Sequence, residues 1–326
     1  MVNRKVLKML FYKNAESNFE NHNLQELLKK ALEKCPKPKN RMESIDTEGT
    51  IKRVINAHTS FSGMLFGEML MFEPDKDQAI LVMDDESDSY PIDKITAPRN
   101  KDGKKQEFLQ SVFYFGVLEN HVIISQSQAL RAKDFENHLL WLLIEHTSTL
   151  STDKMILLSD QPTKKAREAI EKSPVKKVVI GSGLETKVDP KYKENTKEKE
   201  AKFKFIPIGR GFDILTAVLG ANWREKLKLE DSLEDSNLQV NLEITYLRKT
   251  SEYAHAMLDN IATSLRHSEP DDVKVHIEGG GLLTGKDLKI SGKIYVSAYN
   301  GIVDSIALYN IMHEWLKQKI GADEII

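Results

Sequence analysis

Apolar positions along the chain recur with two different periods. Residues 5–13 (KVLKMLFYK) read as a strand. Residues 24–34 carry apolar side chains at 24, 27, 28, 31 and 32, one helical face that Pro36 and Pro38 bring to an end. Short strands are predicted at 51–58, 64–72 and 78–83, and the glycines of FSGMLFGEMLMFE suggest a bulge or a close approach. A loop rich in Pro, Asp and Gly is expected over 84–106. Strands at 108–117 and 120–126 follow as a hairpin. Residues 132–147 read as a helix whose HLLWLLIE centre is apolar nearly all round, so it belongs in a core. A strand at 154–159 closes this half.

Near residue 160 the pattern changes. Residues 161–210 hold about 14 Lys and Arg against about 7 Asp and Glu, and KVDPKYKENTKEKEAK has no periodicity, as in a solvated linker or long loop. Beyond it the pattern predicts a strand at 203–208, a helix near 211–219, an alternating strand at 237–248 and a helix at 250–266. Strands at 272–278 and 287–297 joined by GGGLLTG come next, and then an amphipathic helix at 302–320. The expected architecture is α+β, with two mixed domains. The boundary between them is expected near residue 160, and the last helix can pack onto either domain.

At 326 residues the chain is long enough for two domains, and 40% hydrophobic with 29% charged residues suits packed cores. A single cysteine, Cys35, rules out an internal disulfide and a thiolate zinc cage; this fits a reducing, cytoplasmic compartment. The basic, briefly apolar N-terminus reads as a strand, not a signal peptide. No apolar run reaches the roughly 18 residues of a membrane span. The net charge is −2, so any polyanion must be met by local clusters of Lys and Arg.

Catalytic signals are sparse. GGLLTGK at 280–286 matches the spacing of a phosphate loop, but Asp287 stands where a magnesium-binding Ser or Thr belongs and a strand follows, so a hairpin turn is expected. Asp271, Asp287 and Lys289 have the order of a magnesium-dependent nuclease core, two carboxylates for the metal and a lysine for developing charge, and this is the enzymatic alternative. The histidines, among them His138 and His146 on one helix, read as packing or surface residues. The acidic run at Asp84, Asp85, Glu86 and Asp88 reads as a solvated loop. No metal or cofactor is expected. Charge carries the remaining signal. Arg248, Lys249, Lys274, Lys286, Lys289 and Lys293 are the residues expected to track a phosphate backbone without reading sequence. A protein-interaction module that uses the last helix or a hairpin edge is the third reading.

The order of these pieces resembles the RexA-like family, the phage-exclusion protein RexA of lambdoid phages and its relatives. The opening LFYKNAESNFENHNLQELLKKAL and the unit FLQSVFYFGVLENHVIISQSQALRAKDFENHLLWLL are similar to that family's first elements. The most specific segment, GFDILTAVLGANWREKLKLEDSLED, is similar to its G-D-I-L-x-x-L-G-A string and following acidic stretch. Arg248 and Lys249 fall where the family has adjacent basic residues. The resemblance implies a homodimeric, sequence-independent DNA-binding protein for defence against infecting phage, which signals to a small membrane partner. It also implies that the C-terminal helix returns to the N-terminal domain, so that residues 1–158 plus 299–326 form the first domain and 159–298 an inserted middle domain. One departure is visible. The family carries basic residues two apart on the hairpin strand, where this chain has His276 and Glu278, leaving Lys274 as the basic residue of that face.

Overall fold

The computed structural model describes residues 3–16, 22–46, 48–83, 86, 88–183, 185–188, 205–208, 239–245, 258–259, 261–262 and 273–325. The fold is α+β. The chain divides into two compact units, Met1–Gln161 with Lys289–Ile326, and Pro162–Leu288.

Numbered along the chain, the first unit holds β1 (Asn3–Glu16), α1 (Leu24–Lys34), β2 (Met42–Ser44), β3 (Lys52–Phe61), β4 (Met64–Phe72), β5 (Gln78–Leu81) and β6 (Ile92–Ile95). It continues with β7 (Leu109–Leu118), β8 (His121–Ser125), α2 (Ala132–Leu140, running on as a π-helical turn Trp141–His146) and β9 (Leu157–Ser159). After the second unit, the chain returns as β16 (Ser291–Tyr299), β17 (Ile302–Val303) and α4 (Ser305–Gly321). The main sheet has the order β17-β16-β1-β8-β7-β4-β3-β2 and is antiparallel throughout, with β9 also on β1.

Both faces of this sheet are covered. Phe113, Phe115 and Val117 of β7, Val122 and Ile124 of β8, and Leu65 and Met69 of β4 pack with Leu24, Leu28 and Leu32 of α1 and Phe135 and Leu139 of α2. The alternate positions Tyr114, Ile123, Met64 and Phe66 pack with Leu308, Tyr309, Met312 and Leu316 of α4. Successive side chains of a strand point to opposite faces, so a sheet buried twice needs apolar residues at consecutive positions. VFYFGV and MLFGEML supply them. In β4 and β7, glycines sit opposite phenylalanines: Gly67 pairs with Phe115 and Gly116 with Phe66. A Cβ on Gly67 would lie 2.4 Å from the Phe115 ring, so the ring occupies the space that a side chain would take. Here the expected close approach is found, and register shifts lie in the β3–β4 pairing between Ile55 and His58 and in the β4–β7 pairing between Met71 and Phe72.

Helix ends follow from local chemistry. Asn23 accepts from the Glu26 amide to start α1, and Asp304 accepts from the Ala307 amide to start α4. The last helix therefore begins three residues after the expected 302, because Ile302 and Val303 pair with β16. The 84–106 segment is not wholly loop, since β6 pairs with β5.

The first unit also buries charge. Lys13 of β1 donates to Asp160 at 2.6 Å, with both side chains nearly inaccessible. Arg41 donates to the carbonyls of Cys35, Ile55 and Asn56. Arg53 and Glu43 pair at 2.9 Å, and the buried His138 places Nδ1 2.7 Å from Glu43. Burial pushes the His138 pKa below its ordinary value despite the neighbouring carboxylate. The neutral imidazole then donates Nδ1–H to Glu43. Burial alone raises the Glu43 pKa, but the His138 hydrogen bond and the Arg53 charge outweigh it and hold the carboxyl below its ordinary range.

The second unit contains α3 (Lys164–Lys172), β10 (Val175–Gly183), β11 (Glu185–Val188), β12 (Phe205–Ile208), β13 (Gln239–Thr245), β14 (Val273–Ile277) and β15 (Leu282–Thr284). Its larger sheet has the order β13-β10-β14-β15, and β11 pairs with β12. Val178, Val273, Val275 and Leu283 pack with Ala166 and Ile170 of α3 and with Leu258 and Ala262.

In the lysine-rich stretch after 160, ahead of the segment expected to be a linker or long loop, stand α3 and β10, for which the pattern predicted no element. Two expectations are corrected here. The hairpin partner of β14 is β15, inside the GGGLLTG segment, and not the strand beyond it. That later strand, β16, pairs with β1 from Asn3↔Tyr299 to Phe11↔Ser291. Residues 289–298 therefore lie in the first unit, where Ile294, Val296 and Ala298 complete the face under α4. The predicted helix at 211–219, most of the one at 250–266, the ends 237–238 and 246–248 of the predicted strand, and the GFDILTAVLGANWREKLKLEDSLED string lie outside the described residues.

Candidate nucleic-acid interface

The register of the second unit's sheet sets which side chains share its open face. Lys177 of β10 lies opposite Thr245 of β13 on one side and His276 of β14 on the other, and His276 lies opposite Leu282 of β15. One step along, Val179 is flanked by Glu243 and Lys274, and Lys274 is opposite Thr284. Directly paired residues project from the same face, so Lys177, Lys274 and His276 form one cluster across two adjacent strands. The positions between them, Val178, Val273 and Val275, face the core.

Lys274 is exposed and has no ion-pair partner among the described residues. Lys177 contacts Glu243 at 3.2 Å, with both side chains partly solvated. Such a pair contributes about 0–1 kcal/mol, so Lys177 can exchange the carboxylate for a phosphate at little cost. A sheet face with cations, hydroxyls and a histidine can hold phosphate oxygens without touching base edges.

Of the residues singled out from sequence, Lys274 stands on this face and the exposed Lys286 lies in the turn after β15. Lys289 and Lys293 belong to the first unit, Lys293 exposed on β16. Arg248 and Lys249 lie outside the described residues. Lys177 was missed. Its signal is the apolar run Val178–Ile180 that follows it in β10, in a lysine-rich segment for which no strand was predicted.

The enzymatic alternative meets a definite geometry at one residue. The Asp287 carboxylate accepts from the Thr284 amide at 2.8 Å and from the Thr284 hydroxyl at 2.9 Å, which makes it a turn cap. Asp271 lies outside the described residues. Among the described residues no group of three or more His, Cys, Asp and Glu is placed to hold a metal ion.

No protein-family model matches this chain. No curated protein matches it either.

A cleft of about 360 Å³ in the first unit is lined by Lys29, Leu32, Glu33, His58, Ser60 and Leu65, among others. Burial, then the nearby Arg41, lowers the His58 pKa. No hydrogen bond joins His58 to Ser60 or Glu33, so the nucleophile–base pair of covalent catalysis is not assembled there. Cys35, at the C-terminal end of α1, is buried, and its carbonyl accepts from Arg41. Among the described residues no helix is long and apolar enough to cross a membrane.

Proposed function

We propose that the protein binds duplex DNA without sequence preference, through phosphate contacts on the open sheet face of its second unit. The observation that carries this reading is the juxtaposition of Lys177, Lys274 and His276 on neighbouring strands, with Lys274 unpaired among the described residues. Lys286 in the adjoining turn extends the cationic set, with Arg248 and Lys249 as further members. The resemblance to the RexA-like family supports the wider role, a cytoplasmic homodimer that detects DNA of infecting phage and signals to a small membrane partner.

The test is titration of two unrelated duplexes at two salt concentrations. Binding should weaken steeply with salt and differ little between sequences, since affinity comes from counterions released by phosphate contacts. Lys274→Gln should weaken both duplexes alike and flatten the salt dependence by about one unit of slope. Equal absence of binding at both salts, or a strong preference for one sequence, would overturn the reading. Sedimentation equilibrium checks the dimer, and phage infection of cells carrying or lacking the gene checks the exclusion role.

A further inference from the structure

We propose a second nucleic-acid surface, in the first unit, that takes an unpaired strand by stacking bases on the β1–β16 ribbon. Odd-numbered residues of the two strands share its outward face. Leu7 lies opposite Tyr295, Met9 opposite Lys293, Lys5 opposite Ser297, and Tyr299 opposite Ile302 of β17. Tyr295 is 65% exposed, Tyr299 42%, Leu7 50% and Ile302 74%. The even-numbered positions Leu10, Ile294, Val296 and Ala298 are buried, several of them against α4, so the outward aromatic and aliphatic groups are surplus to the core.

Charge decides what suits this face. From Asn3 to Ala15 and from Lys289 to Val303 the chain has no Asp or Glu. The outward face carries Lys5 and Lys293, and neither has an ion pair or side-chain hydrogen bond among the described residues; Arg4 and Lys8, paired with Ala298 and Ile294, belong to the opposite face. Some cations of the unit are engaged, Lys13 by Asp160, Arg53 by Glu43, Lys94 by Asp77, and Lys105 by Asp75 and Glu107, so what sets the ribbon apart is its lack of any carboxylate beside outward rings. A ribbon with unpaired cations, no carboxylate and two outward tyrosines complements a polyanion with π faces. Single-strand binders combine a positive track with aromatic platforms in this way. Tyr295 and Tyr299 are four residues apart on one strand, about 13 Å at roughly 3.3 Å per residue, which spaces two stacking sites along the strand's path. A duplex presents no free base faces to such rings, so the two surfaces differ in the ligand they select.

The experiment is fluorescence anisotropy on the full chain with labelled oligo-dT, oligo-rU and a poly-glutamate peptide of equal charge, at two salt concentrations. Binding of one or both oligonucleotides is expected, with dT and rU together separating DNA from RNA. Tyr295→Ala and Tyr299→Ala should each weaken it by roughly fivefold or more, as loss of one stacked base implies. Tyr295→Phe and Tyr299→Phe should restore it, because the ring and not the hydroxyl acts. Lys5→Gln with Lys293→Gln should reduce the salt slope of oligonucleotide binding, while duplex binding responds to Lys274→Gln and not to this pair. These side chains are exposed, so thermal midpoints should not move. The proposal is overturned if the wild-type protein binds neither oligonucleotide, if the alanine variants bind as well as wild type, or if poly-glutamate binds as tightly and with the same indifference to the rings. The last result would mark an acidic protein surface as the partner.

Discussion

On β7 of the first unit, Phe113, Phe115 and Val117 face α1 and α2, while Tyr114 faces α4. On β10 of the second unit, Val178 faces α3, while Lys177 projects from the other side next to His276. Among the described residues one sheet is covered on both faces and the other on one. Apolar residues at consecutive positions leave a strand no polar face to offer a ligand, and strict alternation leaves it one. The first unit is accordingly a scaffold, with the ribbon near the edge of its sheet as its proposed ligand surface. Among the described residues the second unit leaves one sheet face uncovered. Charge follows the same division: inside the scaffold Glu43, Arg53, Lys13 and Asp160 are paired and buried, whereas Lys274 is exposed and unpaired among the described residues.

The sharpest way to break this comparison is Arg53→Met. It strands Glu43 in a nearly dry site, and removing one partner of a buried pair costs about 3–5 kcal/mol. Urea denaturation should show that loss, and a change under 1 kcal/mol would mean that the pair is solvated in solution. Gly67→Ala comes next. Its Cβ would meet the Phe115 ring at 2.4 Å and the Ala57 carbonyl at 3.1 Å, so overpacking of about 1–3 kcal/mol is expected. Stability unchanged by this substitution would show that the ring moves aside freely.

Acid should act through the scaffold as well. The folded-state pKa of His138 is depressed, whereas the unfolded chain protonates near 6.5. Below about pH 6.5 the unfolded state therefore holds more protons, and stability falls as pH drops toward the lower folded value. Glu43, also depressed when folded, adds a loss of the same sign further into acid, below its ordinary 4.5. Urea midpoints at pH 7.5, 6.5 and 5.5 should decline, and His138→Gln should flatten that segment. A midpoint that rises on acidification would reverse the assignment of a neutral imidazole. The smallest stability effect belongs to the open face. Lys177→Gln and Lys274→Gln should change unfolding free energy by no more than about 0.5 kcal/mol while weakening duplex binding. A large loss of stability there would mean that the face is part of a core.

Much of the scaffold is legible in the chain. The α1 stripe at 24, 27, 28, 31 and 32 is the buried face observed, with Asn23 as its cap. The β7–β8 hairpin follows from two apolar runs around Leu118-Glu119-Asn120, and Glu119 takes the positive φ that the tight turn requires. The candidate interface was only partly legible. Lys274 could be named from its strand, but its neighbour Lys177 could not, because pairing of β10 with β14 joins positions almost a hundred residues apart.

What the sequence by itself determined are the local choices: period, caps, turns, and which strands must be covered on both faces. These depend on neighbours within a few residues. Only the tertiary structure decided that β16 leaves the second unit to pair with β1, that β15 and not β16 is the partner of β14, and which lysines stand together. Strand partners are chosen by the summed fit of whole apolar faces, and a short segment carries no record of the distant strand that completes its sheet.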